Sequence, residues 1–264
     1  MTRKPYPSDL SDAAWELVRP MVHEAELHPG KQPVDRREIV NAIFYTVRTG
    51  AQWRYLPHDL PNWRTVYEYF AKWSGDGTWE RIEQALRPKA RRASGRKPRA
   101  TLAIIDSQSA KTSESGGPRG YDGNKKMLGR KRHLVVDSVG LPITHQHTPA
   151  NVHDSKPAPE LIREAKRKEP GLKVMLGDKA YRGAPIQRAA AAAGVRFEVV
   201  DKKERSSKFV PVPHRWKVER SIAWHGRNRR LSKDVERTIE SSEGVMAVAS
   251  IGILLRRSTS KSSK

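Results

Sequence analysis

The stretch "TLAIIDSQS", residues 101–109, decides the fold. Leu102, Ala103, Ile104 and Ile105 form an unbroken apolar run that stops on Asp106 and three further polar residues. Such a run suits a strand buried on both faces, as in a sheet with helices on each side. "LKVMLGD" (172–178) repeats the pattern and stops on Asp178. Between them, "KRHLVVDSVGLPITHQH" (131–147) reads as a hairpin turning at Asp137-Ser138-Val139-Gly140, and "VRFEVVD" (195–201) as a fifth strand. Helical patterns separate these strands: one over about 155–167, and an Ala-rich one closed by Gly194. Another starts near Pro213, because the prolines of "FVPVPHRW" block a helix upstream. The order predicts an α/β domain, a mixed sheet flanked by helices.

Upstream of residue 87 the pattern is helical throughout. Ser11 can cap a helix whose apolar positions Ala14, Val18, Met21 and Val22 share one face. Asp35 and Glu38 form a capping-box pattern ahead of Ile39, Ile43 and Val47. Third and fourth helices carry Val66, Tyr69, Phe70 and Trp73, then Trp79, Ile82 and Leu86. A small all-helical N-terminal domain follows, either a helix-turn-helix module or a plain bundle. The predicted division is a helical domain over 1–86, a linker over 87–100, a catalytic domain over 101–256 and a disordered basic tail over 257–264. The linker "RPKARRASGRKPRA" holds seven basic residues and no acid, as an exposed nucleic-acid contact or a solvated connection would.

The chain of 264 residues has 51 Lys and Arg against 29 Asp and Glu, a net charge of +22, which favours a polyanionic partner, nucleic acid first. It has no cysteine, which excludes disulfides and thiolate metal sites and suits the cytoplasm. The run "GVMAVASIGILL" (244–255) is too short to span a bilayer and reads as a core helix, so no membrane is expected.

In a basic protein the acids at strand ends call for a reason. Ligands of open α/β sheets collect outside the carboxyl ends of strands. Neighbouring strands ending on Asp106 and Asp178 put two carboxylates at one rim, where they repel unless one is protonated or a cation lies between them. Mg²⁺ accepts few carboxylates and keeps several waters. Glu219, in the second turn of the helix beginning near Pro213, is the natural third member of a two-metal site that clamps the attacking and leaving oxygens at phosphorus. Arg215, Lys217, Arg220, Arg227, Arg229 and Arg230 around it, with Lys131 and Arg132, are candidate DNA contacts. A bland alternative stands beside each: a strand-end Asp caps turns, and Glu219 can pair with Arg215 or Arg220. Asp122, Asp137 and Asp154 fit turns and helix starts. His133, His153, His214 and His225 lack ligand spacing.

At these residues the sequence resembles the DDE transposases of bacterial insertion sequences, insertion-sequence-five family. The likeness runs through "DSQSAKTSESGGPRGYDGNKKMLGRKRHLVVDSVGLPITHQHTPANVHD", "GDKAYRG" and "RWKVERSIAWHGRNRRLSKDVE", with "LSDAAWELVRPMV" and "GAQWRYLPHDLPNWRTVYEYFAKW" upstream. The resemblance implies a ribonuclease-H-like catalytic domain, with Asp106, Asp178 and Glu219 as the metal-holding triad. It implies Mg²⁺, with Mn²⁺ able to substitute, hydrolysis at the transposon ends, and attack of the freed 3′-hydroxyl on target DNA. N-terminal helices binding the inverted repeats, a homodimer on double-stranded DNA and a nucleoid location are implied too. Arg215 matches the arginine of the family's tyrosine–arginine–glutamate–lysine signature. The tyrosine slot holds Val212 and the lysine slot Gly226, with Arg227 beside it.

Two rival readings remain. "HQH" (145–147) and Tyr181 suggest a relaxase-like metal pair and nucleophile, against an ordinary strand surface. A basic protein that binds DNA ends without cutting is the non-enzymatic alternative.

Overall fold

The computed structural model describes residues 3–22, 34–114, 116–200 and 216–259. Four helices come first: α1 (Asp12–Val22), α2 (Arg36–Thr49), α3 (Trp63–Gly75) and α4 (Thr78–Ala93). The Ser11 hydroxyl accepts from Ala14 N at 3.3 Å, and the Asp35 carboxylate from Arg37 N and Glu38 N. Only half of the expected capping box forms, because the Glu38 side chain instead accepts from Arg3 and Asn41. Helix α2 stops at Gly50, whose φ of +77° is the left-handed turn that glycine takes most readily.

The catalytic half is built from β1 (Leu102–Lys111), β2 (Gly120–Asp122), β3 (Met127–Asp137), β4 (Pro142–Pro149), α5 (Ala158–Lys168), β5 (Val174–Gly177), α6 (Ala184–Ala192), β6 (Arg196–Val199), α7 (Trp216–Gly226) and α8 (Ile239–Thr259). The six strands form one sheet in the order β2-β3-β1-β5-β6, with β4 also on β3. Pairs β1–β3, β2–β3 and β3–β4 are antiparallel, while β1–β5 and β5–β6 are parallel. This is the mixed, helix-flanked, ribonuclease-H-like sheet that the sequence led us to expect.

Each face of the sheet has its own core. Ile105, Val135 and Met175 pack with α5 and α6, whereas Ile104, Leu134, Val136 and Leu176 pack with α7, α8 and the N-terminal helices. Helix α8 is buried nearly all round, from Ser242 to Leu255. A Cβ on its Gly244 would lie 2.3 Å from Ser74 Oγ, so glycine is what lets α3 approach.

The predicted linker differs from the structure. Helix α4 continues to Ala93, and Arg87 and Arg91 are buried in ion pairs with Glu169 and Asp137. Acids distant in sequence supply the counter-charge, so these two cations hold α4 to the sheet. Residues 257–259 of the expected disordered tail are the last turn of α8, and the remainder lies outside the described residues. Among the described residues no helix is long and apolar enough to cross a membrane.

Candidate active site and nucleic-acid interface

Register places the first two acids. Leu102 pairs with Val174, Ala103 with Met175 and Ile104 with Leu176, a constant offset that continues to Asp106 and Asp178 two residues on. Asp178 lies just past β5 with extended backbone (φ −85°, ψ −172°), so side-chain alternation persists and it shares the face of Leu176, as Asp106 shares that of Ile104. Both acids line one pocket with Ile104, Leu176, Gly177 and Val200. Local backbone bonds orient each: Ser107 N donates to Asp106 Oδ1 at 2.8 Å, and Ala180 N to Asp178 Oδ1 at 2.9 Å.

Behind the pocket lies the buried ring of Tyr181. Burial first, then the nearby Asp106, Asp154 and Asp178, holds its phenol well above the usual tyrosine pKa. Tyr181 is buried, so its hydroxyl is not presented to a DNA phosphate, which argues against the relaxase-like reading. Gly177 makes room for this ring: a Cβ there would be 2.8 Å from Phe197 Cζ and 3.1 Å from Tyr181 Cδ2.

Glu219 lies on the same side of the sheet. Its helix, α7, seats Val218 in the core that also holds Ile104 and Leu176. Glu219 itself is exposed, in the first turn of the described part of the helix; the expected helix start near Pro213 lies outside the described residues. It does not line the pocket of Asp106 and Asp178, and among the described residues no three His, Asp or Glu side chains are grouped to hold a metal. Two of the three expected acids meet, and the third is carried by the helix above their sheet face. A pair of hard oxygen donors at one rim still fits Mg²⁺, which binds through one or two carboxylates, water and substrate phosphate.

The candidate DNA contacts divide by burial. Arg227 and Arg229 are exposed. The Arg220 guanidinium is stacked 4.6 Å from the ring centroids of both Trp216 and Trp224 and donates to Val139 O at 2.8 Å. Lys217 is 5.9 Å from the Trp216 ring. Three others are corrections, because protein acceptors draw them inward. Arg230 pairs with Glu236 at 2.7 Å and donates to Ala51 O; Arg132 donates to Leu231 O; Lys131 pairs with Asp154 at 2.9 Å. Arg215, Val212 and His214 lie outside the described residues.

The histidines of "HQH" are not a strand surface either. His147 Nδ1 is 2.7 Å from Ser242 Oγ and His145 Nε2 is 3.1 Å from Glu243 O, both beneath the start of α8. Burial pushes His145 down to about 3, the neutral side of any physiological pH. Asp137, the third strand-end acid, accepts from Val139 N and Leu141 N and pairs with Arg91, a turn and an ion pair together. Reasoning from sequence missed Asp234, which pairs with Arg130 at 2.9 Å inside the protein; "LSKDVE" gave no signal of burial.

Comparison with known proteins agrees with this architecture. Residues 10–83 match the family model described as "Putative transposase of IS4/5 family". The chain is 29% identical over 90 residues to the "Insertion element IS402 uncharacterized 16.2 kDa protein" of Burkholderia cepacia, a match covering 32% of this chain and 61% of that relative. Residues 97–251, more than half of the chain, match the family model "Transposase DDE domain". The chain belongs to the DDE transposase family.

Proposed function

We propose that the protein is a DNA transposase that cuts phosphodiester bonds at the terminal inverted repeats of an insertion sequence and joins the 3′ ends to target DNA by metal-dependent phosphoryl transfer. The single observation that supports this most is the common level and face of Asp106 and Asp178, each two residues past the last parallel pair of β1 with β5, Ile104 with Leu176. Asp106, Asp178 and Glu219 would hold Mg²⁺, with Mn²⁺ as a substitute. When bound, the divalent ion supplies charge stabilisation at the phosphoryl oxygens and a lowered pKa for the attacking hydroxyl. Lys217, Arg220, Arg227 and Arg229, with Arg215, align the DNA backbone beside the acids. No protein nucleophile is required, in keeping with the burial of Tyr181. The N-terminal helices grip the element's ends, two copies pair those ends, and the reaction takes place on the nucleoid in the cytoplasm.

The test is a strand-specific nicking assay on duplex DNA bearing the element's own inverted repeats, with Mg²⁺. Wild-type protein should release 3′-hydroxyl ends, and Asp106→Asn, Asp178→Asn and Glu219→Gln should bind the same DNA without cutting it. Wild-type protein that binds the ends and never nicks them overturns the enzymatic reading and leaves the end-binding one.

A further inference from the structure

Three helix ends that are distant in sequence bring arginines to one surface. Arg48 lies in the last turn of α2, Arg227 just past α7, and Arg256 and Arg257 in the last turn of α8; all four are exposed. Arg48 Nη1 donates to the carbonyl of Arg227 at 2.8 Å, fixing two of the segments together. Arg48 and Arg256 line a cavity of about 330 Å³ between α1, α2 and α8, floored by Phe44 and Leu255. Arg257 is stacked 4.9 Å from the Trp224 ring. Burial first, then repulsion from Arg48, Arg227 and Arg257, holds the Arg256 guanidinium below its ordinary pKa.

Like charges gathered this closely cost stability, and the helix macrodipole accounts for only part of the grouping. One cation at a helix C-terminus gains modestly, and that gain fades beyond the last turn. All four residues are arginine, whose planar fork of donors matches a phosphate better than an ammonium does. We propose that Arg48, Arg227, Arg256 and Arg257 form a phosphodiester-backbone site, outside the pocket of Asp106 and Asp178, that holds duplex DNA across the junction of the N-terminal helices with the catalytic sheet. The proposal rests on the DNA-transposase reading above. It adds two elements, α2 and α8, that the signature region around Glu219 does not contain.

Binding of a labelled DNA duplex to the full-length protein, followed by fluorescence anisotropy between about 50 and 200 mM salt, tests it. Each arginine withdrawn from a phosphate should flatten the plot of log affinity against log salt by about 0.9, so Arg48→Gln with Arg256→Gln should flatten it by about 1.8. A double variant with the wild-type slope overturns the proposal, including where its melting temperature falls, since these arginines would then only cap helices. Phenylglyoxal modification of the wild-type protein needs no variant: duplex should protect Arg48 and Arg256, and equal reactivity with and without duplex overturns the site. Wild-type protein that binds no duplex at any salt sinks the DNA reading itself, a different outcome from bound DNA with an unchanged slope.

Discussion

Arg87 of α4 and Glu169, just past α5, form a buried ion pair with Nε 2.7 Å from Oε1, joining the N-terminal helices to the catalytic sheet. The same carboxylate accepts from Ala100 N at 3.0 Å, and Arg87 also donates to the carbonyls of Pro142 and Ile143. Two buried charges are tolerable only when each satisfies the other. Removing one leaves an uncompensated ion whose desolvation the fold must bear.

Glu169→Ala should therefore cost about 3–5 kcal/mol of unfolding free energy. Arg87→Met combined with Glu169→Leu should cost much less, because no charge is stranded. Urea denaturation of the three proteins measures both, and a double variant as unstable as the single one would contradict the pairing.

The two pocket acids, Asp106 and Asp178, predict an opposite trade between stability and activity. At one rim their negative charges repel, and a divalent ion relieves the repulsion. Mg²⁺ should raise the melting temperature of the wild-type protein, by the mass-action stabilisation of any ligand that binds only the folded state. Asp178→Asn should melt no lower than wild type without metal, should lose the Mg²⁺ response, and should cut DNA at least about 100-fold more slowly, since even outer partners of metal ligands are worth 10–100-fold. A Mg²⁺-induced shift that survives in Asp106→Asn and Asp178→Asn alike would place the metal elsewhere.

Helix α7 carries Glu219, and its placement depends on His225. The ring is buried; Nδ1 donates to Ser221 O at 2.8 Å, so Nε2 accepts from Ser250 Oγ of α8 at 2.9 Å. His225→Ala should lose two buried hydrogen bonds, about 1–3 kcal/mol, and reduce cleavage more than DNA affinity. The ratio of the two losses, read from nicking rates and anisotropy, is the measurement. Equal losses would mean that α7 serves binding and not the acids.

Sequence made some of these residues legible and concealed others for a physical reason. The unbroken apolar run placed Asp178 just past its strand, because strand burial is a local property of the chain; Asp106 was expected to end its strand too, but β1 runs on to Lys111, since residues 107–111 pair with β3. The all-round apolar pattern of α8 marked it as core for the same reason. Arg87 and Arg91 looked like part of an exposed basic block, because their counter-charges stand 82 and 46 residues away. Arg132 and Arg230 misled in the same way, each donating to a backbone carbonyl that no composition count reveals. The face of β4 that bears His145 and His147 was read correctly as one face, but nothing local showed that α8 would cover it.

That covering sets the acid limit of the fold. Burial pushes His133 and His225 down to about 4 and His145 to about 3, all from 6.5, and holds His147 well below its ordinary value. His145 Nδ1 and His147 Nε2 have no hydrogen-bond partner among the described residues, so a proton there would be buried without an acceptor. A depressed histidine contributes stability that is present above the unfolded pKa of 6.5 and is lost as pH falls through the folded value. Each fully titrating group changes stability by about 1.4 kcal/mol per pH unit. Glu83, buried in α4 within reach of Ser250, runs the other way: burial raises it from 4.5 to about 7. Its contribution is fully present below pH 4.5 and is lost as pH rises through about 7. Four histidines outweigh one glutamate, so stability should fall steeply from about pH 6.5 towards pH 4 and level off above about pH 7. Glu83→Gln should leave the acid side steeper, because its opposing contribution is gone. Urea midpoints across that range decide the point, and a wild-type midpoint at pH 5 equal to that at pH 7 would show that the histidines are not held neutral.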